Sequence, residues 1–368
     1  MKCYTSDHVF MNQTQLCERY LESLPPAPPG WCQGFFDGFL CWEHTPPGTF
    51  RTKNCPLLPG FTPSRTATRY CEENGTWWRN IYGHRWANYT GCVSMDYILF
   101  QQNIRHIYTA GYILSIIALT LGILIYLFLQ SLRSPKISVH MHLFGSFILS
   151  NIASLLLSHV NAEEHVQSKN PLWCRMIMVS SLYLIMCNYA WMFCEGLYLH
   201  TVLVWAFVNE HRLLILMYCL GWGLPFILII IYVILRSQCI VMPLQLTHCW
   251  SVHVPQFQWI CMAANATFLI LNVLFLVNIL RVVVMKLKAN GSQEGDWQTL
   301  KGSVKALGVL IPLLGVYYIC MTAESPTTKT METGVIIYQL VYAIVTSIQG
   351  SVVALVICFL NGEVNILF

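Results

Sequence analysis

CNYAWMFCEGLYLH is the sequence of residues 187–200, and it lies inside a long apolar run over 171–208. Glu195 is the one acidic residue within any of the chain's long apolar segments. A carboxylate in hydrocarbon is costly unless it is neutralised or paired, so such a residue is a functional-site candidate by default. Glu195 therefore predicts a buried polar contact that serves a function.

The run around Glu195 is one of seven apolar stretches that follow residue 107. The chain is 55% hydrophobic and only 10% charged, whereas a soluble domain usually carries about 25% charged residues. A membrane-spanning helix needs about 20 apolar residues, and every stretch except 306–323 meets that length. The stretches are 108–130, 137–160, 171–208, 213–235, 255–280, 306–323 and 333–360. They predict an all-α membrane protein with a bundle of seven transmembrane helices.

Lys and Arg in the short connections predict the orientation, because cytoplasmic loops are enriched in them. One side carries Arg133, Lys136, Arg212, Arg281, Lys286, Lys288, Lys301 and Lys305. The other side carries Lys169, Arg175, Arg236 and Lys329. The richer side is predicted to be cytosolic, and with seven spans the N-terminal region is then extracellular.

Residues 1–107 differ from the rest in their cysteines, because seven of the chain's 16 cysteines lie there. Such density in a short extracellular segment predicts a disulfide framework, since so small a domain cannot bury enough core by itself. Asn12, Asn74 and Asn88 each begin an Asn-X-Thr glycosylation pattern. We expect an extracellular domain over 1–93, a stalk over 94–107, the bundle over 108–361 and the start of a cytoplasmic tail over 362–368.

The first seven residues contain no apolar segment of the kind found in a secretory signal peptide. An oxidised extracellular domain needs an export signal. We therefore expect that the first helix acts as a signal anchor, or that the N-terminus is truncated or mature, and we favour truncation. Cys3 is the odd cysteine, and either its partner lies upstream or it is free. The given sequence ends at Phe368, just past the seventh span, so we expect a truncated cytoplasmic tail.

Several short motifs occur together along the chain. The N-terminal region contains WCQGFFDGFLCW (31–42), NCP (54–56), CEENGTW (71–77) and NYTGC (88–92). The apolar segments contain GWGLP (221–225), PLLG (312–315) and QG (349–350), and NGEV (361–364) follows them. Together these resemble the secretin-like, or class B1, peptide-hormone receptors coupled to G proteins. CNY (187–189), CEGLYLHT (194–201) and NILRV (278–282) look most like the calcitonin and calcitonin-like receptors.

This resemblance implies a small disulfide-rich α/β hormone-binding domain ahead of the bundle. Sequence alone leaves the cysteine pairing open. The resemblance implies the pairs Cys17–Cys41, Cys32–Cys71 and Cys55–Cys92, with Cys174–Cys249 as a loop disulfide. It also implies that Asp37, Trp42, Pro56, Gly75 and Trp77 hold the fold. Trp77 is in addition a candidate platform for the C-terminal part of a peptide; the alternative is an ordinary core tryptophan.

His140, in the cytoplasmic half of the second span, is the predicted partner of Glu195, since an imidazole can hydrogen-bond the carboxyl group. The resemblance implies that the pair belongs to a polar lock that controls activation, completed by a Thr and a Tyr. Here those positions are Leu307 and Ile357, so the lock is halved. The alternative is a static buried pair. The nearby His142 is either an added member of the lock or a buried spectator, and we favour the spectator.

Other polar and helix-breaking residues within spans have predicted roles. Pro312 and Gly315 permit a bend in the sixth helix, which by resemblance is where its cytoplasmic half swings outward. Asn188, Asn272 and Gln349 are expected to face the bundle and form a polar network, or else to act as ordinary interhelical contacts. Arg281, Lys286 and Lys288 lie on the G-protein side, although the positive-inside rule alone explains such cations.

The resemblance implies a peptide-hormone receptor that captures its ligand at two sites, couples to Gs and raises cyclic AMP. Calcitonin-like, C-terminally amidated peptides and receptor-activity-modifying proteins are the implied partners, at the plasma membrane. One alternative is a non-signalling ligand sink or truncated isoform. A transporter would show internal repeats, and an enzyme would show a catalytic, phosphate or metal-ligand motif. None of these stands out, and no cofactor or metal is expected.

Overall fold

A computed structural model describes residues 8–57, 61–79, 85–128, 135–162, 171–204, 209–238, 249–250, 255–289 and 333–359. The described residues divide into two compact units, of which the first comprises 8–104 with 333–338 and the second comprises 105–289 with 339–359. The first unit holds the described strands, and the second holds most of the length of the long helices.

The N-terminal unit contains helix α1 (His8–Glu22) and two small antiparallel sheets. Strand β1 (Phe35–Phe36) pairs with β2 (Cys41–Trp42), and β3 (Phe50–Asn54) pairs with β4 (Thr66–Tyr70). Side chains alternate along a strand, so Ala67 and Arg69 of β4 are buried while Thr68 and Tyr70 lie on the other face. The predicted α/β domain is confirmed.

Three disulfides cross-link this small unit. They are Cys17–Cys41, Cys32–Cys71 and Cys55–Cys92, which are the pairs that the family resemblance implies. Four of the half-cystines, Cys32, Cys55, Cys71 and Cys92, pack with Trp42 and Ala67 in a small core. Such a unit buries little apolar surface, so covalent links supply stability that a larger core would otherwise provide.

Long helices dominate the rest of the chain. They are α2 (Met95–Phe128), α3 (Pro135–Ala162), α4 (Leu172–Val204), α5 (Glu210–Tyr218), α6 (Leu224–Gln238), α7 (Pro255–Ala289) and α8 (Thr333–Ala354). A π-helical turn, Cys219–Gly223, joins α5 to α6, and a second, Leu355–Phe359, continues α8. Hydrocarbon offers the backbone no hydrogen-bond partners, which is why such apolar segments form helices.

Six of the described helical segments are long and apolar enough to cross a membrane. They correspond to the predicted spans one to five and seven. The predicted sixth span, 306–323, lies outside the described residues. Leu114, Ile227 and Leu274 are 55%, 56% and 58% exposed, as expected for the lipid-facing side of a spanning helix. The mostly helical architecture agrees with the predicted bundle.

The predicted stalk over 94–107 is helical, because α2 runs without interruption from Met95. The Ser94 hydroxyl accepts a hydrogen bond from the backbone N–H of Tyr97 at 3.2 Å. Asp96 lies in the first turn, where a negative charge is favourable. The first helix therefore begins well ahead of the apolar stretch that starts at residue 108, and polar residues such as Asp96, Asn103 and Arg105 interrupt the apolar ones in these earlier turns.

Helix α4 lies at the centre of the described bundle and packs most extensively on α3 and α7. The π-helical turn also approaches it closely, because Gly221 lies against the ring of Trp191, where a Cβ atom would collide. Pro225 is buried immediately after this turn. Proline has no N–H, so it cannot donate a regular helical hydrogen bond at this point next to the π-helical turn.

Candidate functional site

The structure brings Glu195 of α4 and His140 of α3 together. His140 Nδ1 and Glu195 Oε2 are 2.9 Å apart, and the two side chains are only 5% and 12% exposed. This distance is within the range of an ion pair, but the angles between the two groups are not those of a hydrogen bond. Neither atom has another hydrogen-bond partner among the described residues. Within this part of the chain, these two atoms therefore have only each other as a polar contact.

Tyr126 of α2 links this pair to the end of α8. Its ring stacks on His140, with centroids 6.1 Å apart and planes 21° from parallel. Its hydroxyl donates a hydrogen bond to the backbone carbonyl of Ile357 at 3.1 Å. The side chain of Ile357 is apolar, but its backbone carbonyl is linked through Tyr126 to His140 and Glu195. Sequence reasoning missed Tyr126, although a tyrosine in an apolar span needs a partner for its hydroxyl.

His142 lies two residues further along α3 and contacts a different group of side chains. Its ring stacks on Trp191 at 4.9 Å with an interplanar angle of 11°. It also meets Tyr218 edge-on at 4.9 Å. These contacts are aromatic packing, which is the role expected of a spectator.

Asn188, Asn272 and Gln349 are all buried, at 8%, 2% and 7% exposure. Among the described residues, no hydrogen bond joins these three side chains, and Oδ1 of Asn188 and of Asn272 has no partner. Asn272 Oδ1 lies 2.6 Å from where a Cβ on Gly196 would stand. A glycine at 196 therefore allows α7 to approach α4 closely at this level.

A second polar contact between α4 and α7 involves His200 and Asn278, which sequence reasoning did not single out. His200 Nε2 and Asn278 Nδ2 are 2.7 Å apart, and the imidazole stacks on Phe275 at 4.9 Å. Both residues lie within the motifs that carry the family resemblance. The signal was thus present in the sequence, but the pairing depends on how the two helices cross.

Small residues bring α2 and α8 together. Ser115 Oγ donates to the carbonyl of Ser347 at 2.7 Å and accepts from the N–H of Ser351 at 3.1 Å. A Cβ on Gly350 would lie 2.8 Å from a methyl carbon of Leu119. Small residues and interhelical hydroxyl contacts are characteristic of helix packing in membranes. Gly350, noted in the sequence for its motif, thus has a packing role.

Asp37 is the polar centre of the N-terminal unit. Its Oδ2 accepts hydrogen bonds from the Trp42 indole at 2.6 Å, the Tyr89 hydroxyl at 2.8 Å and the Arg69 guanidinium at 3.1 Å. Its Oδ1 accepts from the backbone N–H groups of Phe39 and Leu40. One carboxylate therefore joins β2, β4 and the segment before Cys92.

Arg69 is the buried partner of this carboxylate and was missed in the sequence. It is only 2% exposed, and its guanidinium carbon lies 4.4 Å from the ring centroid of Phe35 and 5.3 Å from that of Trp77. Burial lowers the pKa of Arg69 to about 10, against the opposing influence of Asp37. Burial and the Asp37 carboxylate together raise the pKa of Tyr89.

Trp77 is a core residue of this unit. It is 5% exposed, and its indole N–H donates to the carbonyl of Gln33 at 2.7 Å. A peptide cannot lie on a ring in this position, so the structure favours the fold role over the platform role. Gly75, two residues earlier, has φ +75°, and a side chain there would meet the backbone of Gly30. Pro56 follows Cys55 at the end of β3.

At the other end of α4, Cys174 is bonded to Cys249. Next to it, Arg236 donates to the carbonyl of Trp250 at 2.7 Å and also bonds the Tyr232 hydroxyl. Arg175 and Arg236 both lie over the Trp250 indole, at 5.9 Å and 5.2 Å from its centroid. The disulfide and these cations fix Cys249 and Trp250 to α4 and α6.

Several predicted site residues are described only in part. Arg281 is exposed on α7, and Lys286 and Lys288 lie further along the same helix. The predicted hinge residues Pro312 and Gly315, and the lock position Leu307, lie outside the described residues, as does Cys3. Asn12 lies on α1. Within the described ranges, no group of three His, Cys, Asp or Glu side chains could hold a metal ion.

Comparison with known proteins agrees with this architecture. The family profile described as "7 transmembrane receptor (Secretin family)" matches residues 101–353, and that of the "Hormone receptor domain" matches residues 30–95. The chain is 33% identical over 339 residues to a calcitonin gene-related peptide type 1 receptor of Oncorhynchus gorbuscha, covering 91% of this chain and 70% of the relative. It is 31% identical over 345 residues to the Homo sapiens calcitonin receptor, covering 91% and 69% respectively.

A hormone receptor domain followed by a bundle of apolar helices defines a peptide-hormone receptor that signals through G proteins. The chain belongs to the secretin family of seven-transmembrane receptors. This confirms the predicted family and fold class. Members of this family are receptors and not enzymes.

Proposed function

We propose that this protein is a plasma-membrane receptor for a calcitonin-type peptide and that it activates Gs. The observation that carries the proposal is the joint match to a hormone receptor domain and a secretin-family bundle, with relatives that are calcitonin and calcitonin gene-related peptide receptors. The N-terminal unit faces the exterior, in keeping with its disulfides and with the Lys and Arg distribution between spans.

Ligand capture proceeds at two sites. The cross-linked N-terminal domain binds the C-terminal part of the peptide, and the N-terminal part of the peptide then enters the outer end of the bundle. Binding at the first site raises the effective concentration at the second. The ligand drives opening only to the extent that it binds the open state more tightly than the closed one.

The His140–Glu195 contact is the proposed restraint on the closed state. It joins α3 to α4, and Tyr126 extends it to the end of α8. Opening at Pro312 and Gly315 in the sixth span moves the cytoplasmic side of the bundle and exposes Arg281, Lys286 and Lys288 to the G protein. The helices rearrange around the buried amide side chains of Asn188, Asn272 and Gln349.

Cyclic AMP measurement tests the function. The full chain, with an added signal peptide, is expressed in cells and exposed to a panel of amidated calcitonin-type peptides, with and without receptor-activity-modifying proteins. We expect a concentration-dependent rise in cyclic AMP for at least one peptide. Cells that express the same chain with Asp37→Asn, which damages the N-terminal domain, are the matched control and should respond only at much higher concentration.

The outcomes separate the competing functions. Peptide binding at the cell surface without a response through any G protein indicates a ligand sink, and the signalling proposal is then wrong. A response that requires an accessory protein identifies that protein as part of the receptor. No binding by any calcitonin-type peptide would remove the ligand assignment while leaving the receptor family intact.

A further inference from the structure

Helices α4 and α7 pack along each other through a row of aromatic and small residues that continues toward their C-terminal ends. The ring of Phe193 on α4 lies 5.5 Å from that of Phe268 and stacks on that of Phe275 at 5.6 Å, both on α7. About one turn further along α4, a Cβ atom on Gly196 would lie 2.6 Å from Asn272 Oδ1. The two helices are therefore in close contact over at least two turns of α7.

His200 and Asn278 form the last contact of this row. His200 Nε2 lies 2.7 Å from Asn278 Nδ2, and the imidazole stacks on Phe275 at 4.9 Å with planes 23° apart. An amide nitrogen only donates, so Nε2 accepts and the neutral ring carries its proton on Nδ1. Both side chains are half-buried. Because a hydrogen bond restricts both distance and angle, this contact fixes the two helices more closely than stacking alone.

His200 faces a different helix from Glu195. The two residues are five positions apart on α4, and each position turns an α-helix by about 100°, so their side chains point about 140° apart. Glu195 accordingly meets His140 on α3, whereas His200 meets Asn278 on α7. A separation of α3 from α4 therefore does not by itself break the contact between α4 and α7.

Asn278 lies one turn before Arg281, which is exposed on α7, and Lys286 and Lys288 lie further along the same helix. The ten residues from Asn278 to Lys288 span about 15 Å of helix. A tilt of about 10° at Asn278 would thus move the backbone at Lys288 by about 3 Å. The position of these cationic residues depends on how firmly Asn278 is held against α4.

We propose that His200 and Asn278 are positioning residues that hold the cytosolic end of α7 where the G protein binds it. The inference rests on the proposed function, because it extends the role given there to the cationic residues of α7. The two side chains act through the helix and not by contact with the peptide. Helices α4 and α7 stay together while the restraint between α3 and α4 opens. Loss of the contact therefore weakens G-protein binding and leaves peptide binding unchanged.

A double-mutant cycle on the purified full chain, expressed with an added signal peptide, tests the proposal. His200→Phe keeps a ring on Phe275 and loses the acceptor, and Asn278→Leu keeps the volume and loses the donor. Each receptor is saturated with the amidated calcitonin-type peptide that gives the largest cyclic AMP response, and its affinity for nucleotide-free Gs is measured by titration. We expect each single variant to bind Gs about three- to tenfold more weakly, as for other interhelical hydrogen bonds in membranes. The double variant should bind no more weakly than either single variant.

Two further variants separate the contact from general effects of substitution. His200→Gln should restore Gs binding, because its side-chain carbonyl can accept from Asn278 Nδ2. His211→Phe is the matched control, since it makes the same exchange at an exposed histidine of α5 and should leave Gs binding unchanged. Peptide affinity measured without Gs should be the same in all variants.

Four results would overturn the proposal. They are an unchanged Gs affinity in His200→Phe, additive losses in the double variant, a raised ligand-independent cyclic AMP signal in His200→Phe, and a loss of peptide affinity as large as the loss of Gs affinity. The third would mean that the contact restrains the closed state instead. If the original receptor binds no Gs with any peptide of the panel, the proposed function fails and this role fails with it. A non-additive shift of the thermal unfolding midpoint in the same cycle would then show that the contact exists without that role.

Discussion

At the scale of single residues, the contact between His140 and Glu195 is the most consequential polar feature of the bundle. His140 Nδ1 and Glu195 Oε2 are 2.9 Å apart, and neither of these atoms has a hydrogen-bond partner in the part of the chain that the structure describes. Removing one partner of a buried pair typically costs about 3–5 kcal/mol, because the other is left uncompensated. A conformation in which α3 and α4 move apart at His140 and Glu195 also loses the contact between these two side chains.

Replacing His140 by Phe should raise ligand-independent cyclic AMP production, because the ring is kept while the contact with Glu195 is lost. His142→Phe is the matched control, since it makes the same exchange two residues further along α3 and preserves stacking on Trp191. We expect its basal signal to remain at the level of the original receptor at equal surface expression. Equal basal signals in both variants would show that the pair does not restrain the closed state.

Asp37→Asn should destabilise the N-terminal domain by about 3–5 kcal/mol, because buried Arg69 is left without its counter-charge. The effect is measured as a lower midpoint of thermal unfolding and as reduced surface display of the full receptor. Asp96→Asn is the comparison, since Asp96 is exposed in the first turn of α2 and its loss should cost no more than about 1 kcal/mol. Similar losses in both would contradict a central role for Asp37.

At the scale of elements, α2 and α8 are held together by small residues. Ser115, Ser347 and Gly350 let the two backbones approach, and the Ser115 hydroxyl bonds both the carbonyl of Ser347 and the N–H of Ser351. Hydrophobic attraction between helices is weak in lipid, so close van der Waals contact and interhelical hydrogen bonds decide which faces meet.

Gly350→Ala should weaken this contact, because the added Cβ would lie 2.8 Å from Leu119 and 3.0 Å from Ser115. Overpacking of this kind typically costs about 1–3 kcal/mol. Gly334→Ala on the same helix is the control, since no atom lies within 4 Å of its added Cβ. The thermal unfolding midpoint of the detergent-purified receptor should fall for the first variant only. An unchanged midpoint for Gly350→Ala would mean that the helices adjust without cost.

At the scale of the whole molecule, the chain combines a disulfide-linked hormone receptor domain with a bundle of long apolar helices. The two parts have different physical requirements. The small domain depends on disulfides and on the Asp37–Arg69 contact, whereas the bundle depends on apolar helices that satisfy their own backbone. This division of roles underlies the proposal of two-site capture.

If capture occurs at two sites, an amidated peptide that lacks its N-terminal part should bind without raising cyclic AMP. It should shift the concentration–response curve of the intact peptide to higher concentration and leave the maximal response unchanged, because it occupies only the N-terminal domain. Competition binding and cyclic AMP assays on the same cells measure both effects. A truncated peptide that activates fully would contradict the two-site mechanism.

Much of the architecture follows from local sequence. Apolar length predicts the spans, and the paired Cys32 and Cys71 lie within motifs typical of the hormone-binding domain. Glu195 stands out because a carboxylate in an apolar run is costly wherever the helix lies. The helical extension of α2 back to Met95 was not predicted, since hydropathy reports apolar length and not the helical state of polar residues.

Contacts between distant residues were decided by the tertiary structure. Tyr126 meets His140 and the carbonyl of Ile357, and Arg69 meets Asp37, only because helices and strands far apart in sequence come together. A small cleft on the N-terminal unit likewise assembles from β3, β4 and the segment before Cys92. It is lined by Phe50, Thr68, Tyr70, Trp78, Trp86 and Asn88. Hydropathy and cysteine content are sums over neighbouring residues and can be obtained from the sequence alone. Which polar group meets which depends on helix rotation and strand register, and these are settled by packing throughout the fold.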